Sequence, residues 1–386
     1  MVKKIALLGA TGSIGMQTLD VVSQHPEEFE IVSIACGKNM PTLFKILDTY
    51  PVKNVSVASY EDHLMVKEKY PHHYVCYGDD GILEMINTSC DLVVNALVGF
   101  VGLKPSLYAI EKRKILALAN KESLVIGGEL MKQALARYDG KMYPIDSEHS
   151  AIFQSLEGNQ VEDVKRIILT ASGGSLRHLK REELMDVSVE QALAHPNWSM
   201  GARITIDSAT MLNKGFEVIE AYYLFSVPMH KISVIIHPES IVHSMVEYKD
   251  RAIIAQLGSA DMRIPIQYAL TYPHRLHLGN SKALDFGALK SLNFEDIDFK
   301  RYPLLALAFD VLHRKGNAGA IINAADEAAI DLFLQKKITF LEIEDAICSA
   351  FKNVAFMKNP SLRDLIKTDR ETRAYIYNEW YPEHYK

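Results

Sequence analysis

Apolar runs of four or five residues alternate with amphipathic stretches through the first third of the chain. The runs at 5–8, 31–35, 55–58, 92–95, 115–119 and 142–145 read as strands. Helical patterns lie between most of them, as at 14–23 and 103–112, and His25-Pro26 stops the first. Near-continuous apolar strands alternating with helices predict a parallel sheet covered on both faces, a Rossmann-like α/β arrangement. The middle third has a different rhythm. A strand at 164–170 ends in Ala171-Ser172-Gly173-Gly174-Ser175, and His195-Pro196-Asn197-Trp198-Ser199-Met200-Gly201 reads as a loop. A helix is expected from near Asp207 through 225, followed by close-set strands at 232–236, 241–248 and 252–257. That order predicts an α+β region with an antiparallel or mixed sheet. The pattern weakens over 279–303, which reads as a linker, and the rest is helical. Thr339 with Glu342, and Ser361 with Asp364, have the form of capping boxes. The expected division is a nucleotide-binding segment at 1–146, a catalytic α+β segment at 147–278, the linker, and a C-terminal helical bundle at 304–386.

Composition narrows the function classes. The 386 residues suit two or three domains of ordinary globular content, with 48% hydrophobic and 23% charged residues. Lys+Arg 42 against Asp+Glu 48 leaves a net charge of −6, which disfavours nucleic acid or an anionic membrane as partner. Cys36, Cys76, Cys90 and Cys348 form no C-x-x-C pair, so reduced thiols are expected, not a zinc ribbon or disulfide framework. The apolar start breaks at Gly9, too early for a signal peptide, and no run is long enough to span a membrane. A cytoplasmic protein is expected.

Gly9-Ala10-Thr11-Gly12-Ser13-Ile14-Gly15 follows the first strand and opens the first helix. Glycines there admit a pyrophosphate, and the helix N-terminus supplies free N–H groups and partial positive charge. An NAD site wants an acid about 20 residues further on. This chain has Gly37-Lys38-Asn39 after the second strand, so Lys38 and Asn39 favour the 2′-phosphate of NADPH.

Asp146 and Glu148, with Ser147 between them, follow the sixth predicted strand. An extended segment would put both carboxylates on one face, and two hard oxygen donors suit Mg²⁺ or Mn²⁺. In the helix expected from Asp207 or Ser208 as N-cap, Asn213 and Glu217 share a face beside Lys214. Ser, Asn and Lys there suit a phosphate, and Glu217 offers a third carboxylate. Ser172 and Ser175 offer further donors. Among the histidines, His195 stands out because it opens a loop that could close Trp198 over a site.

These strings, with Leu118-Ala119-Asn120-Lys121-Glu122-Ser123-Leu124 and His237-Pro238-Glu239-Ser240-Ile241-Val242-His243, resemble the 1-deoxy-D-xylulose 5-phosphate reductoisomerase family across essentially the whole chain. The resemblance implies Asp146, Glu148 and Glu217 as ligands of Mg²⁺, Mn²⁺ or Co²⁺. It implies Lys121, Ser147, Glu148, Ser172, His195, Trp198, Ser208, Asn213, Lys214 and Glu217 around the substrate. Among these, the resemblance implies catalytic roles for Lys121, Glu148, His195 and Lys214. For NADPH it implies Thr11, Gly12, Ser13, Ile14, Gly37, Lys38, Asn39, Asn120, Glu122 and Gly201. The implied reaction is metal-assisted rearrangement and NADPH-dependent reduction of a phosphorylated sugar, in a homodimer of the non-mevalonate isoprenoid pathway. Lys38 stands where some members carry arginine, and Leu212 and Phe216 replace other apolar residues. No ligand is lost.

Other readings meet obstacles. A short-chain dehydrogenase needs Tyr-x-x-x-Lys, and Tyr108 with Lys112 lacks the upstream serine. A phosphorylating aldehyde dehydrogenase needs a cysteine nucleophile near the start of its second domain, where this chain has none. Another NADPH-dependent reductase of a small phosphorylated carbonyl compound, or an NADPH-binding regulator without catalysis, remain as alternatives.

Overall fold

The computed structural model describes residues 2–198, 200–279 and 281–382. Along the chain the elements run β1 (Lys3–Leu8), α1 (Ser13–Ser23), β2 (Phe29–Ala35), α2 (Met40–Thr49), β3 (Asn54–Val57), α3 (Tyr60–Lys69), β4 (Tyr74–Tyr77), α4 (Gly78–Asn87), β5 (Leu92–Asn95), α5 (Leu103–Glu111), β6 (Ile115–Leu118), α6 (Glu122–Tyr138), β7 (Met142–Pro144) and α7 (Ser147–Leu156). There follow β8 (Val164–Ala171), α8 (Val189–Leu193), α9 (Ala202–Thr210), α10 (Leu212–Phe225), β9 (Ile232–Ile236), β10 (Val242–Tyr248), β11 (Ile253–Leu257) and α11 (Arg263–Thr271). The chain closes with α12 (Pro303–Arg314), α13 (Ala318–Leu334), α14 (Phe340–Asn353) and α15 (Leu362–Trp380). Two compact units share these elements: 1–120, 130–150 and 261–282 form the first, and 121–129, 151–260 and 283–386 the second.

The first unit is built on a parallel sheet in the order β4-β3-β2-β1-β5-β6-β7. Its strands bury Ile5, Leu7, Ile34, Val55, Leu92 and Val94 between helices. The order reverses between β1 and β5, the place where ligands bind in such sheets. Tyr74–Tyr77 is a strand the apolar pattern did not signal. It lies at the sheet edge and leaves Tyr74 and Tyr77 half-exposed, so no continuous apolar run marks it. The segment 261–282, expected with the catalytic part, packs here instead. α11 sends Ile266, Ala269 and Leu270 into the first core, and Arg263 Nη1 bonds Asp20 of α1 at 3.0 Å.

The second unit contains the mixed sheet β11-β10-β8-β9, with β8 parallel to β9 and β10 antiparallel to both its neighbours. Leu169, Ile206, Phe216, Ile219, Val246, Leu304, Ile321 and Ile347 belong to one apolar cluster, so the C-terminal helices share the core of the sheet. Both expected capping boxes open helices, at Thr339 for α14 and at Ser361 for α15. Among the described residues no helix is long and apolar enough to cross a membrane.

Candidate active site

In the first unit, the turn after β1 is shaped by close approach. Gly9 has φ +86°, and a Cβ there would meet Ala96 O at 2.3 Å; one on Gly15 would meet Gly9 O at 2.3 Å. Backbone N–H groups of Gly9 and Ala10 both donate to Ala35 O, tying the turn to the end of β2. Gly12 is the N-cap of α1, with no side-chain cap and no acid in the first turn. Thr11, Gly12, Ser13 and Ile14 therefore frame a helix end whose free N–H groups favour an anion. Past β2, Gly37, Lys38 and Asn39 are exposed, and Asn39 caps α2 by accepting from Thr42 N at 3.2 Å. Burial, then Asp62, pushes the adjacent Cys36 thiol up to about 12, so it stays protonated. Asn120 is buried and donates to Leu97 O and Gly99 O at 2.9 and 3.0 Å, fixing the turn after β5.

At the end of β7, Ile145 N bonds Leu118 O, and α7 begins at Ser147. Asp146 and Glu148 are thus not two positions of an extended segment, as expected; Glu148 sits in the first helical turn. Ser147 Oγ donates to Glu148, and His149 Nδ1 lies 3.9 Å from Asp146.

In the second unit a compact charged group forms around Glu217, which is 1% exposed. Lys121 Nζ lies 2.8 Å from Asn213 Oδ1 and 3.4 Å from Glu217 Oε1. Asn213 Nδ2 donates to Glu217 Oε1 at 2.6 Å, and the Lys214 ammonium bonds the other carboxylate oxygen. The helical spacing of Asn213 and Glu217 is as expected. The expected N-cap is not: Asp207 and Ser208 lie in the last turn of α9, and Met211 at φ +64° separates α9 from α10. A left-handed methionine carries no sequence signal of the kind a glycine would.

Gly174 has φ +75°, and a Cβ there would lie 2.5 Å from Ser208 O, so the 171–175 turn presses on the end of α9. Ser172 Oγ is 3.0 Å from His195 Nε2. His195 Nδ1 accepts from Asn197 N and Trp198 N at 3.2 and 3.1 Å. Nδ1 is therefore unprotonated, and Nε2–H donates to Ser172. Burial, then Arg177, holds this histidine below its ordinary value. Trp198 packs beside His243 with ring centroids 6.2 Å apart, while Asn197 Nδ2 bonds Pro238 O and Ser240 Oγ. Asn197 was missed by sequence reasoning, since only its partners in space give it a role. Ser175 turns inward to Ala192 O and is structural. Gly201 is the exposed N-cap of α9, and Glu122 bonds Arg203 at 3.1 Å.

Family models match three stretches of the chain. Residues 5–128 match 1-deoxy-D-xylulose 5-phosphate reductoisomerase, 142–225 its C-terminal domain, and 257–375 the DXP reductoisomerase C-terminal domain. The chain belongs to the 1-deoxy-D-xylulose 5-phosphate reductoisomerase family. Among curated reductoisomerases it is 50% identical to that of Bacillus subtilis (strain 168) over 378 residues, covering 97% of this chain and 98% of the relative. It is 48% identical to that of Geobacillus sp. (strain WCH70), covering 97% and 99%. The solved reductoisomerase of Zymomonas mobilis in complex with NADPH is 38% identical, with TM-score 0.92 over 99% of this chain and 100% of that one. A second solved reductoisomerase, in complex with NADPH, fosmidomycin and magnesium, is 34% identical with TM-score 0.93, covering 98% of each chain.

Proposed function

We propose how the residues of this chain divide the work of its family's reaction. The chain is an NADPH- and divalent-metal-dependent oxidoreductase that converts 1-deoxy-D-xylulose 5-phosphate to 2-C-methyl-D-erythritol 4-phosphate in isoprenoid biosynthesis. Full-length identity of one half to a reductoisomerase carries this conclusion.

NADPH binds at Thr11, Gly12, Ser13 and Ile14, on the uncapped end of α1, with the 2′-phosphate at Gly37, Lys38 and Asn39. The close backbone approach at Gly9 and Gly15 supports this cradle. Asn120, Glu122 and Gly201 serve the nicotinamide end, Asn120 by shaping the turn after β5. Asp146, Glu148 and Glu217 hold the divalent cation; three carboxylates are the donor set of Mg²⁺, and Mn²⁺ or Co²⁺ fit the same oxygens. Bound there, the cation acts as a Lewis acid toward the substrate's carbonyl and hydroxyl oxygens.

Ser172, Ser208, Asn213 and Lys214 receive the phosphate, and remote binding of this kind fixes the reacting carbons in place. Lys121, already bonded to Asn213 and Glu217, presents a proton-bearing ammonium beside the reacting oxygens. Ser147 orients Glu148 by its hydrogen bond. His195 offers an Nε2–H donor, and its Nδ1 holds the backbone of Trp198 so that the indole can exclude water.

The reading extends to a cytoplasmic homodimer. Four free thiols suit a reducing compartment, and Ile253 and Ile254, exposed on edge strand β11, suit cover by a second copy.

Absorbance of NADPH during incubation with 1-deoxy-D-xylulose 5-phosphate and Mg²⁺, with and without EDTA, tests the whole assignment. Oxidation that EDTA abolishes is expected; oxidation unaffected by EDTA would overturn the carboxylate site.

A further inference from the structure

A second buried charged group lies behind the substrate residues of α9. Arg203 in the first turn of α9 donates from Nη1 to Glu122 Oε1 at 3.1 Å and to Glu327 Oε1 at 2.7 Å. From Nη2 it donates to Asn323 Oδ1 and Asp326 Oδ2 at 2.9 and 3.0 Å, and Nε reaches Asp326 Oδ2 at 3.2 Å. Asp207, one turn along α9, lies 3.7 Å from the same Nε. Glu327 also bonds Arg373 of α15, which pairs with Asp369 at 2.8 Å. One guanidinium thus joins the start of α6, α9 and α13, and α15 is attached through Glu327.

Asp207 and Asp326 are both buried, and their Oδ2 atoms converge on the same Arg203 Nε, at 3.7 and 3.2 Å. The Oδ1 of each meets no N–H or O–H donor. Two carboxylates buried against one guanidinium repel each other unless one keeps a proton. The cluster also holds five acids, Glu122, Asp207, Asp326, Glu327 and Asp369, against the two guanidiniums, so a retained proton lowers its excess negative charge. Asp326 accepts from Arg203, which leaves Asp207 as the proton's owner and Asp326 as its acceptor.

We propose that Arg203 is a positioning residue for the phosphate end of the substrate, pinning α9 to α13 through an Asp207–Asp326 pair that shares one proton. Asp207 immediately precedes Ser208, so the pair sets the rotation of α9 about its axis and with it the direction of the Ser208 hydroxyl. Met211 then hands that orientation to α10, which carries Asn213 and Lys214. Burial raises the carboxyls of both aspartates, in agreement with a retained proton. The proposal rests on the reading of Ser208 as a phosphate contact.

The test compares D207N, D207A, R203M and S208A, measuring KM for 1-deoxy-D-xylulose 5-phosphate, kcat and NADPH affinity from about pH 6.5 to 9. An asparagine amide donates to Asp326 as the protonated acid does. Wild-type KM is expected to rise toward pH 9 as the pair loses its proton; D207N is expected to keep KM within about twofold of wild type at pH 6.5 and to abolish that rise, while D207A and R203M raise KM about tenfold or more at unchanged NADPH affinity. Equal behaviour of D207N and D207A would overturn the shared proton. Unchanged KM in R203M, with KM raised in S208A, would overturn the positioning role alone. Unchanged KM in S208A would instead remove the phosphate reading on which the proposal stands. Should R203M fail to fold, the two Asp207 variants still decide the question.

Discussion

The Lys121 ammonium stands 3.4 Å from the Glu217 carboxylate, across 96 positions of sequence, and Lys214 bonds the same carboxylate from within α10. Two buried cations thus share one buried anion. E217Q removes the anion and keeps the volume. Turnover is expected to fall about 10²-fold or more, since the proposed cation ligand and the carboxylate of two ammonium groups are altered together. Stability should fall by about 3–5 kcal/mol, the usual cost of breaking a buried pair. Titration of NADPH fluorescence separates this from damage to the first unit, because the nucleotide affinity should stay at the wild-type value.

His195 gives a pH prediction whose sign follows from its two Nδ1 acceptor bonds. Its folded value lies below the ordinary 6.5 through burial and Arg177, so the native state favours the neutral ring. The stability it lends is present above 6.5 and is lost as pH falls through the lower folded value. Protonation turns Nδ1 from acceptor to donor and releases the backbone of Trp198. The chain has two tryptophans, so a W380F background isolates Trp198. Its fluorescence should titrate below pH 6.5, and H195Q should abolish that titration; a titration that survives H195Q assigns the change elsewhere.

Much of this site is legible in the sequence because its chemistry is local. Gly9 to Gly15 lie within one turn, and Asn213 and Glu217 are one helical turn apart. The break between α9 and α10 escapes the pattern because Met211 takes a left-handed conformation without glycine or asparagine. A helix expected to start near Asp207 then makes that residue a cap, when it is a buried acid in the last turn of α9. Asp326 lies 119 positions away, and Arg203 reaches Asn323 across 120 positions. No spacing rule links such residues. α11 escapes for a related reason: its apolar face fits either core, and only packing assigns it to the first.

The Asp207–Asp326 pair also predicts how stability depends on pH. Burial raises Asp326 from 3.8 to about 6 and Asp207 well above its ordinary value. The native state then binds more protons than the unfolded chain once pH exceeds about 4, so stability falls as pH rises through the folded values. D207N cannot ionise and removes its share of that loss. Urea unfolding at pH 4.5 and 7.5 should show a smaller decline for D207N than for wild type, by on the order of 1–3 kcal/mol. Parallel declines would mean that Asp207 ionises equally in both states.

Gly174 carries both a left-handed backbone and a space problem. Alanine there would place Cβ 2.5 Å from Ser208 O at φ +75°. Neither partner is a flexible side-chain end, so the 171–175 turn or α9 must move. A loss of about 1–3 kcal/mol is expected, with KM for the sugar phosphate rising more than KM for NADPH. Equal effects on the two would count against the proposed phosphate role of the 171–175 turn.

The proposed place of Lys38 at the 2′-phosphate predicts which nicotinamide cofactor the first unit prefers. The turn after β2 is exposed, holds no acid, and presents Lys38 between Gly37 and Asn39. A 2′-phosphate brings about two negative charges to that turn, and an exposed lysine contributes to holding it in proportion to local screening. K38E replaces attraction with repulsion for NADPH, while giving NADH an acid of the kind that binds ribose hydroxyls. The ratio of kcat/KM for NADPH to that for NADH should fall about 10²-fold. Most of the change should lie in KM, because the 2′-phosphate that Lys38 is proposed to hold is far along the dinucleotide from the reacting carbon. Raising salt should weaken NADPH binding in wild type and leave K38E less affected. If Lys38 were only a solvated surface charge, the charge reversal would change both cofactors equally and the salt dependence would match wild type.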